Sequence, residues 1–157
     1  MISGMQRLLP PLLFLPLLAI SIVLGLVVPI AGPLSWALRI LGVPVAIAGL
    51  TLNIGGAGLF NRIGTNIKTF DDPGRLVEEG PFRFTRNPMY LGFTLMLCGA
   101  ALLVGSLTAW TGAVAFFAAA NLWYIPFEEA RMRSIFGPQY EDYRRRVPRW
   151  LGPVRAT

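Results

Sequence analysis

Long apolar runs, separated by short polar or turn-rich stretches, dominate this chain. The first run, residues 8–28, carries no charge. At about 1.5 Å of rise per residue, a helix of that length crosses the ~30 Å hydrocarbon core of a bilayer. Pro10 and Pro11 fall in its first turn, and Pro16 is expected to kink it. A secretory signal peptide is a poorer reading, because the run is too long, Arg7 is its only basic flank and further runs follow. Pro29-Ile-Ala-Gly-Pro33 predicts a tight turn. A second run covers 34–60, with Arg39 in its first turns snorkelling to the nearer interface. The stretch from Asn87 to Phe127 has no charged residue. As one helix it would be about 60 Å long, twice a bilayer, so it must fold back. Gly105-Ser106-Leu107-Thr108 is the expected turn, which gives spans at 89–104 and 109–125. The pattern predicts an all-α, polytopic membrane protein: one domain, 1–157, with about four transmembrane helices and a further helix in the C-terminal tail.

Composition agrees. The chain is 54% hydrophobic and only 14% charged, and its mean hydropathy of +0.58 is too high for an ordinary soluble domain. The formal net charge is +6, but its distribution explains it. With four spans, the N-terminus, the 61–86 connection and the tail share one side. That side holds every Asp and Glu and every Lys and Arg except Arg39. The positive-inside rule makes it cytoplasmic, as in a prokaryotic inner membrane, so the basic charge reads as orientation and contact with anionic lipid. No nucleic-acid partner is needed. Histidine is absent and Cys98 is the single cysteine. Serine–histidine and cysteine–histidine catalysis are therefore excluded, and no residue pattern suggests a metal site. Cys98, in an apolar run, reads as a core residue. Gly55-Gly56-Ala57-Gly58 permits close helix packing or local unwinding, and packing is the simpler reading. Small residues along this span suit either a monomer or a pair.

The polar residues able to do chemistry gather at the cytoplasmic ends of the spans. In Arg86-Asn87-Pro88-Met89-Tyr90, Pro88 keeps Asn87 out of the helical region and suits a first helical turn. Asn87 then sits at the N-cap, where free N–H groups favour an anion. The same pentapeptide also reads as a plain cap with an interfacial Tyr and a snorkelling Arg. Glu128 and Glu129 follow an interfacial Trp123-Tyr124 pair and read either as a solvated helix end or as acids that hold a cationic ligand. Adjacent helical residues point about 100° apart, so both need not face one site. In the tail, Pro138 opens a helix on which Tyr140, Tyr143 and Val147 share a face. Glu141/Arg145 and Asp142/Arg146 make i,i+4 pairs, and Pro148 ends the helix.

Three linked motifs carry a resemblance. Leu76-Val77-x-x-Gly80-Pro81-Phe82-Arg83-Phe84-x-Arg86-Asn87-Pro88-Met89-Tyr90-Leu91-Gly92 is followed by Glu128-Glu129. Phe136-Gly137-x-x-Tyr140-x-x-Tyr143-x-x-x-Val147-Pro148 comes next. Over about residues 65–150 this resembles the isoprenylcysteine carboxyl methyltransferase and phospholipid methyltransferase superfamily of integral membrane enzymes. The resemblance implies S-adenosylmethionine as cofactor, wrapped by regions 65–92 and 124–150. The cofactor-binding residues it implies are Gly74, Arg75, Leu76, Val77, Phe82, Asn87, Pro88, Met89, Tyr90, Glu128 and Glu129. It also implies a lipophilic small-molecule or lipid acceptor. Asn87 stands where that family often has His, and Phe82 where it often has Tyr. Asn87 cannot act as a base near neutrality, which removes a histidine base at this corner.

The expected reaction is in-line methyl transfer to an acceptor delivered from the bilayer, with the protein positioning the reactants. Arg86, Glu128 and Glu129 are the candidate catalytic residues, and Arg83 and Arg131 the candidate substrate-binding ones. A carboxylate acceptor needs only a cation such as Arg83, Arg86 or Arg131. An amine acceptor must lose a proton, which Glu128 or Glu129 can take if its pKa is raised. Two alternatives belong to other classes: an NADPH-dependent membrane reductase of the steroid 5α-reductase type, and a non-catalytic membrane scaffold.

Overall fold

The computed structural model describes residues 9–30, 35–64 and 74–153. The turns expected at 29–33 and 71–74 fall mainly outside the described residues, and among the described residues no strand occurs. The helices are α1 Pro10–Val27, α2 Trp36–Ile40, α3 Gly42–Ile63, α4 Pro88–Val104, α5 Thr111–Ala119, α6 Ile125–Phe136 and α7 Pro138–Arg146. Pro10 and Pro11 occupy the first turn of α1, where a missing N–H loses nothing, and Pro16 lies inside it. Among the described residues two segments, Pro10–Val27 and Trp36–Arg62, are long and apolar enough to cross a membrane, and Pro88–Val104 is a shorter apolar helix.

The second run is not one uninterrupted helix. It divides at Leu41 into α2 and α3, and α3 continues to Ile63, beyond the expected end. The fourth run departs further from expectation. It opens as a 3-10 turn at Leu107–Trp110, proceeds through α5, widens into a π turn at Ala120–Tyr124 and runs on as α6 to Phe136. Pro126 cannot donate to the Leu122 carbonyl, and a wider turn is one way a helix accommodates that loss. The helix therefore carries Glu128 and Glu129 as interior positions rather than ending before them.

Glycine sets the α3–α4 contact, mostly through glycines other than the Gly55-Gly56-Ala57-Gly58 group the sequence singled out. A Cβ on Gly49 would stand 2.5 Å from the Gly92 carbonyl oxygen, and one on Gly99 would stand 2.6 Å from that of Gly42. Gly42 and Gly49 thus meet Gly99 and Gly92 backbone to backbone across an antiparallel hairpin. Gly56 meets Met89, whereas Gly55 and Gly58 face open space.

On the other side of α4, α1 and α5 close the core. Phe14 packs on Phe93 and Phe116, and Leu97, Phe116 and Ile125 are fully buried. Ser21 accepts the Gly112 N–H at 3.0 Å, which lets α5 lie directly on α1. At the hairpin's turn Gly105 takes φ 72° and ends α4. Thr108 Oγ1 donates to the Leu24 and Val28 carbonyls, and the Leu107 N–H donates to the Ile30 carbonyl, so the turn is tied to the end of α1 and the residues just after it. The Arg39 side chain lies over Gly105, at the carbonyl end of α4, where a cation is favoured. Large apolar side chains of α1 and α3 point outward along their length, an arrangement suited to lipid.

In the tail, Tyr140, Tyr143 and Val147 do share a buried face, packed with Leu76. The expected i,i+4 ion pairs are replaced. Glu141 pairs with Arg144 and Arg133, Asp142 with Arg145, and Arg146 reaches Glu78 at 2.6 Å. The Glu78 contact ties the tail helix to the segment ahead of Gly80.

Candidate active site

A cleft opens at the end of the helices opposite Gly105. Its walls are Phe60 at the end of α3, Arg75, Leu76 and Val77, then Phe82, Arg86 and Asn87, then Glu128, Glu129 and Met132 of α6, and Tyr140 and Tyr143 of α7. Three distant parts of the chain meet there because of local chemistry. Gly80 adopts φ 57°, which turns the chain into a 3-10 turn at Gly80–Arg83 and brings Phe82 edge-on to Phe60, 5.3 Å between ring centres. Gly137, at φ 50°, separates α6 from α7 and folds the tyrosines back over the cleft.

Behind the cleft lies a charged cluster. Arg86 donates from Nη1 to Glu129 Oε1 at 2.9 Å and from Nε to the Val147 carbonyl at 3.0 Å. Arg149 binds both oxygens of the same carboxylate, Nε to Oε1 at 3.0 Å and Nη2 to Oε2 at 2.6 Å. These bonds hold the Arg149 guanidinium above its ordinary pKa. Asn121, inside the π turn, accepts from Arg149 and from the Trp150 indole. The segment after Val147 is thus clamped to the 85–87 corner. The Arg86 N–H donates to the Pro148 carbonyl, while Thr85 and the Asn87 side-chain amide both donate to the Arg149 carbonyl. Asn87 is the N-cap residue of α4 by position but makes no side-chain cap.

The two adjacent acids are in different surroundings. Glu129 is buried and its carboxylate is bound by two arginines. Glu128 is half-buried, lines the cleft and accepts the Tyr90 hydroxyl at 2.9 Å. Tyr90 itself stacks on Tyr124 in the core. Burial pushes the Tyr140 phenol above its ordinary pKa, with the Arg86 guanidinium beside it pulling the other way. Burial also raises the Tyr143 phenol, whose hydroxyl donates to the Phe82 carbonyl at 2.7 Å.

Of the residues singled out from sequence, Arg75, Leu76, Val77, Phe82, Arg86, Asn87, Glu128 and Glu129 line the cleft. Tyr90 reaches it through Glu128, and Pro88 and Met89 form the first turn of α4 behind it. Gly74, Arg83 and Arg131 are not on its walls. Sequence reasoning missed Phe60, Met132, Arg149 and Asn121, and placed Tyr140 and Tyr143 only on a shared helix face. The basic residue after Val147-Pro148 was the available signal for Arg149, but nothing local says which acid it meets. No group of three metal-ligating side chains occurs among the described residues.

Apolar helices of membrane-crossing length with a charged cleft at one end define the class: an α-helical membrane-associated protein. The chain belongs to the phospholipid methyltransferase family, whose model matches residues 37–139. It is similar to an uncharacterised protein of Haemophilus influenzae, 38% identical over 63 residues, which cover all of that protein and 40% of this chain. It is also similar to the protein-S-isoprenylcysteine O-methyltransferase of Schizosaccharomyces pombe, 36% identical over 81 residues, 46% of this chain and 31% of that one. A third relative is protein-S-isoprenylcysteine O-methyltransferase B of Arabidopsis thaliana, 37% identical over 78 residues, 47% of this chain and 38% of that one. The matches to the two named enzymes therefore span well under half of their length. No solved structure matches the chain.

Proposed function

We propose that this protein is an integral membrane methyltransferase that uses S-adenosylmethionine and methylates a lipophilic acceptor. The acceptor is an isoprenylcysteine-like carboxylate or a phospholipid amine, presented at the cytoplasmic face of an inner membrane. In this reading one domain, 1–157, crosses the membrane four times, with α4 and the α5–α6 helix completing the bundle and both termini cytoplasmic.

The observation that carries the reading is the convergence of Arg86, Glu128 and the 75–77 segment on one cleft. The residues present suit the cofactor. Glu128 offers a carboxylate to a cationic group, and Arg86 offers a guanidinium to an anionic one. Phe60, Phe82, Leu76, Val77 and Met132 supply aromatic and apolar surface to a flat base. When bound, S-adenosylmethionine supplies a methyl group already activated on a sulfonium. The chain's own task is to orient the acceptor and exclude water. Arg86, fixed by Glu129 and the Val147 carbonyl, holds its donors still while an acceptor arrives. In this arrangement Glu128 contacts ligand, and Glu129 acts by positioning Arg86.

The test is calorimetric binding of S-adenosylhomocysteine to detergent-purified protein, with NADPH titrated in parallel. Saturable binding of the first alone supports the reading, and binding of NADPH alone replaces it with the reductase class. Glu128→Ala and Tyr90→Ala, each shown to be folded by circular dichroism, are expected to abolish cofactor binding. Normal binding by either overturns the site assignment.

A further inference from the structure

We propose that Tyr140 is a ligand-binding residue which, together with Arg86, forms a two-donor seat for a carboxylate on the wall of the cleft. The inference rests on the methyltransferase reading above. Tyr140 is 3% exposed and lines the cleft. Arg86 Nη1 donates to its hydroxyl oxygen at 3.0 Å. A guanidinium has no acceptor, so the phenol must be the acceptor in this bond and its own proton points elsewhere. Among the described residues nothing accepts that proton. Buried polar groups normally use their hydrogen-bonding capacity, so a buried cleft hydroxyl with an unspent donor calls for an explanation, and a ligand supplies one. Tyr143 supplies the contrast, since its hydroxyl is committed to the Phe82 carbonyl.

Arg86 is in the same condition as Tyr140. Its Nε and Nη1 are engaged, while Nη2 has no partner among the described residues. Arg86 and Arg149 share the Glu129 carboxylate, and Arg149 holds both of its oxygens. A ligand carboxylate accepts from both open donors, Arg86 Nη2 and the Tyr140 hydroxyl. Burial keeps the phenol protonated and hence able to donate.

Two sources present this chemistry: the α-carboxylate of the cofactor and the carboxylate of an acceptor. The experiment compares wild type with Tyr140→Phe in calorimetric titrations of four probes. S-Adenosylhomocysteine is paired with its decarboxylated analogue, and N-acetyl-S-farnesylcysteine with its amide. Tyr140→Phe is expected to weaken one carboxylate probe by about tenfold or more while its carboxylate-free twin changes little. Selective loss in the first pair assigns the cofactor, and selective loss in the second assigns the acceptor. No loss in either pair, or equal loss for both members of a pair, overturns the proposal. Ser21→Val, away from the cleft, is expected to lower thermal stability and leave every carboxylate preference intact, which separates a packing defect from a lost ligand bond. If folded wild type binds no S-adenosylhomocysteine, the methyltransferase reading itself falls, and this result is distinct from equal binding by wild type and Tyr140→Phe.

Discussion

Replacing Glu129 by Gln tests whether the two adjacent acids serve different purposes. The Glu129 carboxylate accepts from Arg86 at 2.9 Å and from Arg149 at 3.0 and 2.6 Å. The amide is nearly isosteric, so packing survives. Its charge is gone, and one acceptor oxygen becomes a donor facing a guanidinium. The Arg86 side chain, 9% exposed, stays buried without its counter-ion, whereas Arg149, at 33%, can turn toward water. Removing one member of a buried pair costs about 3–5 kcal/mol. Discounting the solvent-screened Arg149 half leaves about 3 kcal/mol. In a chain of this size that lowers the unfolding midpoint by roughly 6–12 °C. Glu128→Gln is the matched control. Its amide oxygen can still accept the Tyr90 hydroxyl, so the loss is about 1 kcal/mol, or roughly 2–4 °C. Far-UV circular dichroism melts in detergent micelles read both variants, and S-adenosylhomocysteine titration of the folded proteins reads the site. A Glu129→Gln midpoint within about 2 °C of wild type refutes the buried-cluster reasoning, as does a larger drop for Glu128→Gln.

Gly49→Ala places a methyl 2.5 Å from the Gly92 carbonyl oxygen and is expected to destabilise the α3–α4 hairpin by about 1–3 kcal/mol. Gly55→Ala, with open space at that position, is expected to be neutral or stabilising by up to about 1 kcal/mol, and melting curves compare the two. Ser21→Val removes the acceptor of the Gly112 N–H and is expected to lower the midpoint, whereas Ser21→Thr retains a hydroxyl and should recover part of the loss. Stability is also expected to fall as pH rises above about 10. The Tyr140 and Tyr143 phenols keep their protons in the folded state while the unfolded chain releases them near the ordinary value of 10.0. The unfolded state then binds fewer protons, so the slope is negative. Tyr143→Phe should flatten the decline, and midpoints measured between about pH 8 and 11 check it.

Hydrophobic run lengths determined that this chain is helical and suited to a membrane, because a bilayer demands about twenty apolar residues per crossing and a backbone hydrogen-bonded within itself. Local rules also fixed individual ends. Pro88 started α4, Gly105 stopped it, and Pro138 opened the helix that buries Tyr140, Tyr143 and Val147 on one face. These features depend on residues a few positions apart, and a sequence displays them directly. The motifs likewise pointed to Arg86, Asn87 and Glu128, which do line one cleft.

What the sequence could not display is pairing across distance. Glu128 and Glu129 are neighbours in the chain, yet the helix turn between them sends one to the cleft and the other to two arginines. That Arg149 should meet Glu129, and that Arg146 should leave Asp142 for Glu78, depends on where α6, α7 and the segment after Val147 come to rest. Gly49 and Gly92 carried no mark beyond their type, while the conspicuous Gly55 and Gly58 face outward. Close packing and charge pairing are properties of surfaces brought together, and those surfaces exist only once the helices have packed.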